Sequence, residues 1–512
     1  FIELKKAAIM PEAVRVLPAK LVTHYKVMPV ELKNNVIKIA VHDPSDHWPL
    51  DDIEVNYGLH PVMVLACRDE IADAIRKHYG VGADTVERIM VQDEALAKRQ
   101  ISKSPEEDDE QTELLSEPFE EKSEEATVVR LVDQILREAV RKKASDIHIE
   151  RGHESLSVRY RVDGVLGDVQ LAQEIHYLAP AITSRIKIMS GMDIVEKRLP
   201  QDGRSHLKVD QEGYDLRISI LPSRHGEDIA IRLLPSRSRF SLEDLGMKPV
   251  QLELFKKLIN KPHGILFVTG PTGSGKSTTL YTGISQISSR ERKIITVEDP
   301  VEYEIPGITQ IQVNAGVGLT FARTLRNMLR HDPDVIMIGE VRDSETAEIA
   351  VQAALTGHLV FSTLHTNDAA SGVTRLIDMG IEPFLIVSSV EAFVAQRLIR
   401  LVCPDCKTEI SPEERSAWEK RIGLPIKKLT RGRGCDSCDQ TGYKGRTAIY
   451  EILLLKETIR DLVLNRAGAA KMKEAAVAGG MQTLWDDGWE KAWAGETTPE
   501  EIIRVVGEAT KA

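Results

Sequence analysis

Apolar positions along the chain follow several rhythms, and each marks a region. Residues 1–82 mix short helical and strand patterns around "NNVIKIAVHDP" and "EIADAIRKHY", which predicts a small α/β module. Residues 93–125 are poor in apolar side chains and read as linker. From Ala126 a helix is expected, because Val128, Leu131, Ile135 and Ala139 recur at helical spacing. Strict alternation follows. In "LSVRYRV" Leu156, Val158, Tyr160 and Val162 face one way and Arg159 and Arg161 the other. "DLRISIL" and "DIAIRLL" repeat the device and set Arg217 and Arg232 opposite an apolar face. From about residue 243 the rhythm becomes strand, loop, helix. The apolar runs in "GILFVTG", "KIITVED", "DVIMIGE" and "LVFSTLH" are separated by helical patterns such as "ETAEIAVQAAL" and one over Arg323–Arg330. Such alternation predicts a mostly parallel sheet covered on both faces, with ligands at the carboxyl ends of its strands.

These patterns divide the 512 residues into 1–82, a linker 83–125, a second α/β domain 126–242 and a third domain 243–512. Composition, with 42% apolar and 28% charged residues, is that of a globular protein. No apolar run approaches the ~20 residues of a membrane span. No signal peptide is visible, and because the first residue is Phe the 1–82 module is expected to be truncated at its start. The net charge of -11 is local: residues 104–125 carry eleven acids and one lysine, and the remainder is close to neutral. That run reads as a solvated linker or a docking site for a basic partner. No basic stripe with interleaved aromatics points to nucleic acid, so no nucleic-acid partner is expected.

Chemistry enters at "GPTGSGKST". Residues 270–278 fit G-x-x-x-x-G-K-[ST] between a strand and a helix. Gly270, Gly273 and Gly275, with Pro271, Thr272 and Ser274 between them, let backbone N–H groups close on phosphate oxygens. Lys276 neutralises the β- and γ-phosphates, Ser277 offers a hydroxyl to Mg²⁺, and Thr278 follows in the first helical turn. The helix N-terminus adds partial positive charge. Other strand ends converge on this loop: "TVED" with Glu298 and Asp299, and "IGE" with Glu340. "GHLVFSTLHTND" brings His358 before a strand and His365 at its end, where an imidazole can sense the γ-phosphate. Four of five cysteines form "CPDC" and "CDSC". Cys403, Cys406, Cys435 and Cys438 suit a tetrahedral zinc site on two knuckles, with a helix "SPEERSAWEKRI" filling the spacer. Disulfides are the rival, disfavoured without an export signal. Cys67 stands alone and is expected in the core. Trp485, Trp489 and Trp493 share a helical face, to be filled by core packing or by a membrane-platform partner.

Taken together, "ASDIHIE", "RYRVDGVL", "RLPQDGR", the phosphate loop, "TVEDPVEY", "LRHDPDVIMIGEVRD", "ALTGHLVFSTLHTNDA" and "AQRL" resemble the secretion-type ATPases of type II secretion and type IV pilus assembly. The resemblance runs from about residue 126 to the C-terminus, and more weakly over 1–82. It implies a RecA-like P-loop ATPase domain, a preceding PAS-like α/β domain, a small N-terminal α/β docking domain and a four-cysteine zinc insertion at about 401–445. It further implies ATP, Mg²⁺ and Zn²⁺ as cofactors and a homohexamer. The protein is then expected in the cytoplasm, peripheral to the inner membrane, against a platform protein and a membrane-linked docking protein. Glu298 would polarise the attacking water and Glu340 would hold Mg²⁺ with Ser277, although either carboxylate suits either task. Arg204, Arg217 and Arg232 match positions from which the second domain reaches the γ-phosphate. The implied function is assembly of pilus or pseudopilus subunits and so protein export. The alternatives are a pilus retraction ATPase, which the zinc insertion disfavours, and a P-loop nucleic-acid motor.

Overall fold

The computed structural model describes residues 1–5, 7–45, 48–79, 117–153, 155–171, 173–235, 240–423, 425–426 and 428–507. Residues 83–116 of the expected linker therefore lie outside the described residues. The chain divides into two compact units, Phe1–Pro235 and Ser236–Ala512.

In the first unit, β1 (Met28–Lys33), β2 (Val36–Val41) and β3 (His60–Leu65) form a small sheet, antiparallel at β1–β2 and parallel at β2–β3. Ile37 and Ile39 are buried in it beneath Leu17, Leu21 and Val22. Cys67, expected in the core, is exposed. It lies just before the helix Arg68–Tyr79, where the chain turns out of β3.

The second module of this unit is a six-stranded antiparallel sheet in the order β6-β5-β4-β9-β8-β7. Its strands are β4 (Ala144–Arg151), β5 (Leu156–Val162), β6 (Val165–Asp168), β7 (Gln201–Val209), β8 (Glu212–Ser223) and β9 (Gly226–Pro235). Alternation sends Leu216, Ile218 and Ile220 of β8, and Ile229, Ile231 and Leu233 of β9, into one core with Leu131, Ile135 and Ile182. The helix expected from Ala126 begins earlier and spans Glu117–Arg141. Glutamate is a good helix former, and proline, as at position 118, is compatible with a first turn.

The second unit is built on seven strands in the order β12-β11-β13-β14-β10-β15-β18. These are β10 (Gly264–Thr269), β11 (Ile294–Glu298), β12 (Thr309–Gln312), β13 (Val335–Ile338), β14 (Leu359–Leu364), β15 (Val390–Val402) and β18 (Tyr443–Leu454). All pairs are parallel except β15–β18. Strands β10, β11, β13 and β14 are buried along their whole length, which is why they read as unbroken apolar runs. Between β15 and β18 lies the cysteine-bearing insertion, with β16 (Lys407–Glu409) paired to β17 (Thr430–Gly432) and a helix Pro412–Ile422. That helix starts on a capping box, Ser411 with Glu414.

Candidate active site and metal centre

Strand β10 runs into the loop 270–275 and then the helix Lys276–Ile287. Gly270 and Gly275 have φ of +152° and +87°. A Cβ on Gly275 would sit 2.8 Å from Gln396 Nε2, and one on Gly270 would sit 2.6 Å from the Gln396 carbonyl. Gln396, from the "AQRL" stretch of β15, thus backs the loop, and its Oε1 accepts from the Thr279 hydroxyl at 2.7 Å. Pro271, Thr272, Gly273 and Ser277 are exposed, while Ser274 is buried. The Thr278 carbonyl accepts from Thr282 Oγ1. Lys276 Nζ donates to the carbonyls of Gly270 (2.8 Å) and Pro271 (3.0 Å). Burial pulls this lysine down to about 8; the Glu340 charge opposes the shift and the Arg397 charge adds to it.

The parallel register places the carboxyl ends of β11, β13, β14 and β10 side by side, with Val297 paired to Ile338, Ile338 to Ser362 and Thr269 to Leu364. Glu298, Glu340 and His365 leave the sheet at these ends. Gly339 explains the Gly-Glu ending: a Cβ there would lie 3.3 Å from the Glu298 Cα, so a side chain would crowd the neighbouring strand. Glu340 is largely buried, pairs with Arg342, and lies 3.3 Å from His365 Nε2.

Glu298 is held differently. Its Oε1 accepts from Thr296 Oγ1 (2.5 Å) and Gln310 Nε2 (3.2 Å), and its Oε2 accepts from the Tyr281 hydroxyl. Burial pushes its carboxyl above the ordinary range, with these three bonds pulling the other way and the Glu302 charge pushing up. Asp299 is exposed in the loop that follows.

His358 is not brought to this end. It precedes β14, so the length of that strand, roughly 20 Å for six residues, separates it from the loop. Its Nδ1 lies 2.8 Å from the Ala353 carbonyl and 3.2 Å from Thr356 Oγ1. His358 therefore closes the C-terminus of the helix Ser344–Leu355, a structural task.

In the first unit the three candidate arginines are cross-strand neighbours. Arg204 pairs with Arg217 and Arg217 with Arg232, so they form one row on one face. The row continues to Asp146, which accepts from Arg232 at 3.0 Å, and to Arg161 at 3.6 Å.

The four cysteine sulfurs all lie within 4.8 Å of one another. Cys403–Cys435 and Cys406–Cys438 are 3.9 Å apart and Cys435–Cys438 3.7 Å. A tetrahedron with Zn–S bonds of about 2.3 Å has edges of about 3.8 Å, whereas a disulfide needs about 2.05 Å. The donor set fits zinc and excludes paired cystines in this geometry.

Sequence reasoning did not find Tyr281, Gln310, Gln396 or a buried network behind His365. Glu451 is fully buried on β18; its Oε1 accepts from the Ala369 N–H at 3.0 Å and its Oε2 from the Leu484 N–H at 3.4 Å. Lys473 lies 3.6 Å from Glu451 and 3.4 Å from Asp368. Arg397 donates to the Asn367 carbonyl at 3.0 Å. The "HTNDA" turn is thereby tied to the helices Ala469–Ala478 and Leu484–Trp493. In the latter, Trp489 is buried, with Trp485, Trp493 and Trp418 of the insertion around it. A Thr296–Glu298 spacing of two on one strand was a legible signal for one partner. Gln310 and Glu451 arrive only by tertiary pairing.

Residues 121–504 match the family described as Type II/IV secretion system protein, and residues 1–85 match the MshEN domain. The Type II secretion system ATPase E of Vibrio cholerae is 49% identical over 397 residues, covering 77% of this chain and 78% of that protein. The Type IV pilus assembly ATPase PilB of Myxococcus xanthus is 40% identical over 511 residues, covering 98% and 88%. Among solved structures, the Yersinia pseudotuberculosis ATPase DotB is similar with a TM-score of 0.55 at 23% identity, over 74% of this chain and 93% of that one, a likeness of fold. On these matches the chain belongs to the Type II/IV secretion system protein family and is an ATPase.

Proposed function

We propose that this ATPase works as a homohexamer at the cytoplasmic face of the inner membrane, coupling hydrolysis to assembly of type IV pilus or type II pseudopilus subunits and so to protein export. The names and coverage of the relatives above support this reading. Among the described residues no helix is long and apolar enough to cross a membrane. In this reading a platform protein and a membrane-linked protein, docked by the N-terminal module, hold the ATPase there.

The observation that carries the catalytic part is the convergence of Lys276, Glu298, Glu340 and His365 at the ends of adjacent parallel strands. The loop 270–275 and Lys276 bind the phosphates. Glu298, rigidly hydrogen-bonded, orients a water whose oxygen bonds to the γ-phosphorus as the bond to the β–γ bridging oxygen breaks. ADP and inorganic phosphate leave, and the proton of the water passes to a phosphate oxygen. The Ser277 hydroxyl and Glu340 carboxylate are hard oxygen donors that suit Mg²⁺, which when bound neutralises phosphate charge. His365, beside Glu340, senses the γ-phosphate. The row Arg204, Arg217 and Arg232 concentrates positive charge that stabilises the transferring phosphoryl group. Cys403, Cys406, Cys435 and Cys438 hold a structural zinc with no open position for water.

The test pairs turnover with export. Purified protein should hydrolyse ATP and lose that activity as Lys276→Ala, and a strain carrying this variant should lose secretion or pilus extension. Normal export in that strain, or turnover that depends on added DNA, would sink the reading.

A further inference from the structure

We propose that Tyr281 is a positioning residue for hydrolysis, setting the direction in which Glu298 presents its remaining hydrogen-bond acceptor site. A carboxylate has about four acceptor sites. Thr296 and Gln310 occupy both sites of Oε1, and the Tyr281 hydroxyl takes one on Oε2. One site is left, on the oxygen that Tyr281 holds. Glu298 is 3% exposed, so bulk water does not orient that site; the protein does.

Tyr281 is itself fixed. Its ring is fully buried and meets Tyr303 edge-on at 4.6 Å. Its hydroxyl accepts the Glu302 N–H at 3.1 Å, which leaves the single phenolic proton for Glu298. The groups facing Glu298 are thus Tyr281 from the phosphate-loop helix, Glu302 and Tyr303 from the following loop, and Gln310 from β12. Of the three direct donors, Tyr281 alone belongs to the helix that begins with Lys276. The phosphates and the water-orienting oxygen are therefore registered to the same rigid element. A 1 Å error between them is the kind that catalysis does not tolerate.

The inference rests on the reading of Glu298 as the water-orienting carboxylate, and the test separates the two. Tyr281→Phe, Glu298→Gln and the double variant are made in the full chain, and each is assayed for ATP turnover and for ADP affinity by calorimetry. Tyr281→Phe keeps the ring and removes one charge-assisted hydrogen bond. Its kcat should fall by about 10- to 100-fold, with KM for ATP and ADP affinity unchanged. In the Glu298→Gln background, measured with radiolabelled ATP, it should cost nothing further. Parental turnover in Tyr281→Phe, with Glu298→Gln inactive, overturns the role of Tyr281 and leaves that of Glu298 standing. A double variant slower than Glu298→Gln overturns it too, because Tyr281 would then act independently. Lost ADP affinity in Tyr281→Phe does the same, assigning the phenol to the cradle or the fold. Parental turnover in Glu298→Gln removes the underlying reading and the inference together.

Discussion

Replacing Glu451 by alanine should loosen the C-terminal helices from the nucleotide site. The substitution leaves the Ala369 and Leu484 N–H groups without their acceptor at two helix N-termini, and deprives Lys473 of one of its two carboxylate neighbours. An orphaned buried N–H costs about 1–3 kcal/mol, and the Leu484 bond, at 3.4 Å, belongs at the low end. Because Lys473 retains Asp368 and is partly exposed, its loss adds little. The expected destabilisation is about 2–4 kcal/mol, with Glu451→Gln intermediate, since one amide oxygen can still serve one donor. Urea unfolding followed by tryptophan emission measures this directly, because four of the five tryptophans, Trp418, Trp485, Trp489 and Trp493, pack together beside Leu484. Burial raises the Glu451 carboxyl above the usual range. A raised folded-state pKa contributes stability below the unfolded value and loses it as pH rises through the folded value. The gap between parent and Glu451→Ala should therefore narrow as pH rises above the ordinary carboxylate range. A loss below about 1 kcal/mol, or a gap that widens with pH, would refute the reasoning.

Other outcomes follow from the same geometry. Lys276, held at about 8 by burial, loses its charge above that pH. Metal-free ADP binding should therefore weaken as pH rises through about 8 and take up a proton, a dependence absent in Lys276→Arg; calorimetry in buffers of different ionisation enthalpy reads it. Gly275→Ala should weaken nucleotide binding, because its left-handed backbone strains any side chain and the new Cβ would sit 2.8 Å from Gln396 Nε2; Gln396→Ala should restore only the part due to that contact. Thiol-reactive titration with a metal indicator should release one zinc per chain. Cys435→Ser should weaken that binding and expose the insertion helix Pro412–Ile422 to proteolysis before the seven-stranded sheet.

The readable parts of this fold are those whose physics is local. Strands buried on both faces must be apolar throughout, so β10, β11, β13 and β14 are visible as runs, and the phosphate loop as spaced glycines. Strand β15 is not, because "VEAFVAQRLIRLV" mixes buried Gln396 and Arg397 with apolar residues, and its partner β18 lies beyond the whole insertion. The sequence already sets His358 before β14 and His365 at its end; what it hides is that His358 closes the preceding helix through the Ala353 carbonyl. A parallel sheet makes one end chemical and the other structural. Cys67 is misjudged from sequence because a lone cysteine carries no pattern, and the turn out of β3 leaves it in solvent. The Glu298 cage is half legible: Thr296 shares its face by strand period, whereas Tyr281 and Gln310 are delivered by packing.

Strand β15 has two tenants. Near its middle Gln396 backs the phosphate loop, and beyond its far end, next to Val402, stands Cys403 of the four-cysteine cluster. It is hydrogen-bonded to β10 on one side and to β18 on the other. A pull applied at the cysteine knuckle along this strand loads both ladders in shear, so that many bonds resist together instead of parting one at a time. A hairpin peeled from its open end would yield bond by bond. The knuckle is thus mounted in the mechanically stiff direction of the sheet, in line with the nucleotide loop.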